Sequence, residues 1–73
     1  MDAALPMEVR EALGRMPAVT DAVALTLAHG LATGGLDVCE ALLKEQHASA
    51  REMAVRLAAA SIRLVEHLEE DWP

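Results

Sequence analysis

Apolar side chains recur along this chain at intervals of three and four, and nowhere alternate as a half-buried strand requires. Proline and glycine punctuate the pattern into four predicted helices, over residues 7–14, 18–33, 36–46 and 50–70. The first opens after Pro6, a favoured residue at a helix start. It carries Val9, Leu13 and Met16 at helical spacing, with Glu8 and Glu11 in the early turns where negative charge suits the helix dipole. Gly14 and Pro17 end it. The second is apolar nearly all round: Val19, Val23, Leu27 and Leu31 form one side, and Thr26, His29 and Thr33 form a narrow polar stripe flanked by Leu25 and Ala32. Such a helix is expected at the centre of a bundle. Ala24, Ala28 and Ala32 add a small-residue ridge for a tight crossing, and Gly34 and Gly35 are expected to stop the helix.

The third predicted helix carries Val38, Cys39, Leu42 and Leu43, with Glu40 and Lys44 as an i,i+4 pair in the favourable orientation. Ser49 and Glu52 then read as a capping box opening the fourth. That last helix has two apolar seams. Met53, Leu57, Ala60, Leu64 and Leu68 make one; Val55, Ile62 and Val65 make the other, with Ala54, Ala58 and Ser61 between them. Together they span roughly 200° at 100° per residue, more than a terminal helix of a small monomer usually buries. Two seams imply two surfaces to cover, the chain's own core and another copy or protein. The predicted fold is therefore all-α: a compact four-helix domain over residues 1–73, with a long C-terminal amphipathic helix, assembled as a helical dimer.

Composition sharpens that expectation. Of the 53% hydrophobic residues, fifteen are alanine, so the core is thin for a domain of this size and association is the natural remedy. The lone Cys39 excludes an internal disulfide, which fits a reducing cytoplasm. The N-terminus, with Asp2 and Glu8, lacks the basic and apolar pattern of a secretory signal. The uncharged stretch 22–36 is shorter than the ~20 residues of a spanning helix and contains His29 and the glycine pair, so no membrane is expected. Alanine- and arginine-rich, lysine-poor usage resembles high-GC bacterial coding.

A net charge of −6 disfavours nucleic acid, whose affinity for proteins comes largely from Lys and Arg on phosphates. Residues 52–57 followed by 61–67 resemble a helix-turn-helix unit, and a DNA-binding regulator using the region 52–68 is the alternative function. Yet residues 58–60 are three alanines, the best helix formers, so one continuous helix is predicted. A metal site would require His29, Cys39, His47 and His67 to converge, and no close Cys or His pair announces one. Asp37 and Glu40 flank Cys39 and no Lys or Arg lies immediately beside it, so it reads as a small core residue of an amphipathic helix. No catalytic, cofactor or metal residue is assigned.

What remains is a non-catalytic protein–protein interaction module, a homodimeric regulatory or accessory protein. The expected interface is Val55, Ala58, Ile62 and Val65, with Ala58 as the close-approach position. Trp72 and the acidic residues 69–71 could add an anchor for a basic protein partner, since tryptophan is enriched at hot spots.

Overall fold

The structure, a computed structural model, describes residues 5–71 and is all-helical, but with three helices where four were expected. They are α1 (Met7–Arg15), α2 (Asp21–Leu43) and α3 (His47–Asp71).

In α1 the carbonyl of Pro6 accepts the N–H groups of Val9 and Arg10 at 3.1 and 3.2 Å. The helix closes as Met16 turns extended (φ −93°, ψ 133°), the conformation that Pro17 imposes on the residue before it. The chain stays non-helical to Thr20, whose carbonyl takes the N–H groups of Val23 and Ala24. The second helix therefore starts at residue 21, three positions later than predicted.

The predicted boundary between the second and third helices does not exist. Helix α2 runs through both glycines for 23 residues. Glycine favours a helix end only where a left-handed cap is needed, and no glycine here has a positive φ. Gly34 instead serves packing: a methyl group built on it would come 2.5 Å from Cδ2 of Leu57. At that point α2 and α3 are close enough that a methyl group on α2 would force the Leu57 side chain to move. The uninterrupted helix also changes its length class, since α2 is long and apolar enough, by length and composition alone, to cross a membrane.

The reversal comes at residues 44–46 and is a Schellman turn. Glu45 is left-handed (φ 59°), Gln46 N–H donates to the Ala41 carbonyl at 2.8 Å, and Glu45 N–H donates to Leu42 at 3.1 Å. This is the bonding pattern that satisfies the orphan carbonyls of a helix end. The Gln46 carbonyl at once accepts Ala50 N–H at 2.9 Å, so α3 begins at His47. Ser49, predicted as its cap, lies inside the first turn and is exposed.

The helix order in space also differs from expectation. The central element is α3, against which both α2 and α1 pack, while α1 and α2 make at most marginal contact with each other. The result is a slab of 44 × 27 × 18 Å with a radius of gyration of 13.1 Å, against about 11 Å for a compact globule of this length. Its buried apolar residues are Val9, Ala41, Ala50, Ala59 and Ala60. Alanine is what lets one helix take neighbours on two sides at short range, and no large side chain is fully buried among the described residues.

Candidate functional site

The side of α3 expected to face a second copy is the side on which α1 lies. Glu8 of α1 forms an ion pair with Arg51, and Arg63 donates from Nη2 to the Leu13 carbonyl at 2.6 Å. These two contacts bracket the segment carrying Val55, Ala59 and Ile62, which helical spacing sets on the same side of α3. Ala59 is buried, Val55, Ala58 and Ile62 are half-buried, and Val65 is exposed. Trp72 lies outside the described residues.

Because α1 and α2 diverge across α3, an open cleft of about 770 Å³ remains between them. Met16, Leu27, Leu31, Val55, Leu57 and Ala60 supply most of its apolar lining, and Glu8, Glu11, Arg15, Arg51, Glu52 and Arg56 its charges. Arg56 is already paired with Glu52 at 2.8 Å. No His, Cys or Ser lines the cleft, and its ionisable groups are glutamates and arginines.

The residues considered for metal or thiol chemistry are dispersed. His29 and Cys39 stand exposed on α2, and His47 is exposed at the start of α3. His67 meets Asp21 at 2.8 Å. Among the described residues no group of three or more His, Cys, Asp or Glu could hold a metal ion. Helix α3 continues through residues 58–60, so the break that a helix-turn-helix unit requires is not there, and both of its arginines are engaged by carboxylates.

Most of the exposed large apolar side chains among the described residues lie on α2. Two seams run along this helix. Ala24, Leu27, Leu31, Gly34, Val38 and Ala41, spaced 3-4-3-4-3, are half-buried or buried, facing α3. Leu25, His29, Ala32, Leu36, Cys39 and Leu43, spaced 4-3-4-3-4, are all exposed. Leu25, Leu36 and Leu43 are 81%, 71% and 85% exposed, and Leu42 beside them is half-exposed. The alternation of four and three over this length is the repeat of a helix that packs against another helix. Sequence reasoning placed Leu25 and Ala32 only as flanks of a polar stripe; the missed signal was their continuation in register through Leu36, Cys39 and Leu43. No protein-family model, no curated protein and no solved structure matches the chain.

Proposed function

We propose that this chain is a non-catalytic protein–protein interaction module that works as a homodimer, in a regulatory or accessory role within a reducing cytoplasm. The carrying observation is the uncovered apolar side of α2: in its most apolar eighteen-residue stretch no residue is buried. Leu25, Leu36 and Leu43, on one side of one helix, are 71% to 85% exposed, and apolar side chains grouped on one exposed side are a feature of association surfaces. Each leucine removed from water contributes about 1.5–3 kcal/mol, so the three leucines of the outward seam, doubled by symmetry, supply a substantial driving force. The thin alanine core points the same way, because a domain of this size gains much of its missing burial from a second copy.

Sedimentation equilibrium tests the reading. The expected result is a species of about twice 7.8 kDa at micromolar concentration, dissociating on dilution. A monomer that persists at high micromolar concentration would overturn it.

A further inference from the structure

Resting on the homodimer reading, we infer that two copies pair antiparallel along the outward seam of α2, about a two-fold axis at the level of Gly34. The occupant of this face is a second copy of the same face. In an antiparallel helix pair, each of the two heptad core positions meets the other position of its partner. Numbers that sum to 68 then face one another. Leu25 meets Leu43 of the second copy, His29 meets Cys39, and Ala32 meets Leu36, each layer occurring twice by symmetry. The seam is therefore self-complementary in size, large against small at its middle and leucine against leucine at both ends. Such an isologous contact closes on itself and forms no filament.

The flanking positions agree with the same axis. Thr26 comes beside Glu40 of the second copy, Ala28 beside Leu42, Thr33 beside its own counterpart, and Gly35 beside Gly35. The half-exposed Leu42 thus gains a small residue to cover it. A methyl group on Gly35 would meet nothing within 4 Å, so the space beside this position at the axis is open to a second copy. No like-charged pair falls on the seam, whereas parallel pairing would set the acidic residues Asp21, Asp37 and Glu40 of the two copies at equal heights. From Leu25 to Leu43 the seam runs about 27 Å at 1.5 Å per residue. A specific interface begins at about 1,000 Å² of total buried surface, so the flanking positions must be covered along with the seam.

Cysteine cross-linking tests the register. In the antiparallel pair the two native Cys39 residues lie ten residues apart along the axis, about 15 Å, beyond the ~7 Å that a disulfide spans between Cα atoms. The variant His29→Cys sets its new thiol opposite Cys39 of the second copy. With copper–phenanthroline as oxidant, this variant should convert to a covalent dimer at least tenfold faster than the wild type, and His29→Cys/Cys39→Ser should lose that advantage. A second variant, Leu36→Glu, should raise the dimer dissociation constant at least a hundredfold with helicity retained by circular dichroism. A dimer in sedimentation that cross-links fastest through the two native Cys39 residues, or that tolerates Leu36→Glu, overturns this pairing and leaves the homodimer reading intact. A monomer overturns both. So does a chain that stays monomeric in buffer and co-sediments with phosphatidylcholine vesicles, because α2 then buries its face in lipid.

Discussion

The guanidinium of Arg63, in the middle of α3, reaches the main-chain carbonyl of Leu13 near the end of α1 at 2.6 Å, while its Nη1 holds Glu66 at 2.9 Å. One side chain thus adds a second donor to a helix-end carbonyl that already accepts Met16 N–H at 3.1 Å, and ties that helix to another. Hydrogen bonds from charged donors contribute about 1.5–3 kcal/mol, and the Arg63 side chain is only 26% exposed. Arg63→Ala should therefore destabilise the fold by about 2 kcal/mol. Lysine lacks the fork that serves both acceptors, so Arg63→Lys should recover less than half of that. Hydrogen exchange is the decisive measurement: α1 amides should lose protection first, with the α2–α3 pair still protected.

Two glycines of α2 should respond to alanine with opposite signs. A methyl group on Gly34 would press on Leu57 at 2.5 Å, whereas one on Gly30 meets nothing within 4 Å. Overpacking a helix contact costs about 1–3 kcal/mol, while replacing an exposed helical glycine by alanine gains up to about 1 kcal/mol. Urea melts at one protein concentration should show a lowered midpoint for Gly34→Ala and a raised one for Gly30→Ala. Equal shifts in the same direction would mean that the α2–α3 crossing is looser than described.

The same pair of helices shows how far the sequence could be read. All-α character and the two ends of α1 followed from period and punctuation, because proline acts locally. The glycine pair misled, because glycine marks a helix end in one context and a close crossing in another, and only the neighbouring helix decides between them. A signal was present in the order Leu27, Leu31, Gly34, Val38 and Ala41, which keeps its 4-3-4-3 register straight through the glycines. The width of the apolar arc on α3 was legible as two surfaces. Its division was not: α1 is short and half polar, and nothing local says that Val9 buries itself on the side carrying Val55 and Ile62.

The turn between α2 and α3 offers a stabilising substitution. Glu45 occupies the left-handed region at φ 59°, where a residue with a Cβ pays roughly 1–2 kcal/mol and glycine is the usual occupant. Part of that gain returns as the greater freedom of glycine in the unfolded chain. Glu45→Gly should still stabilise by about 0.5–1 kcal/mol, which for a domain of this size is a few degrees in Tm. Thermal melts at matched concentration check it, since association makes Tm depend on concentration. An unchanged or lowered Tm would indicate that the left-handed turn is not retained in solution.

At the other end of the α2–α3 pair, Asp21 and His67 meet at 2.8 Å, the aspartate 88% exposed and the histidine 11%. The two members should be unequal in effect. Asp21 lies in the first turn of α2, where its charge also favours the helix dipole by about 0.3–1 kcal/mol, but its exposure lets water replace most of what His67 supplies. Asp21→Asn should cost no more than about 1 kcal/mol, and added salt should shrink that cost. His67→Ala should cost more, because the ring is largely buried and its removal takes packing as well as the contact with Asp21. A double-mutant cycle separates the two contributions. A coupling below about 1 kcal/mol would make the contact a weak clasp on a helix pair already held by Gly34 and Leu57. A coupling well above that would make it the principal tie between the N-terminal end of α2 and the C-terminal end of α3.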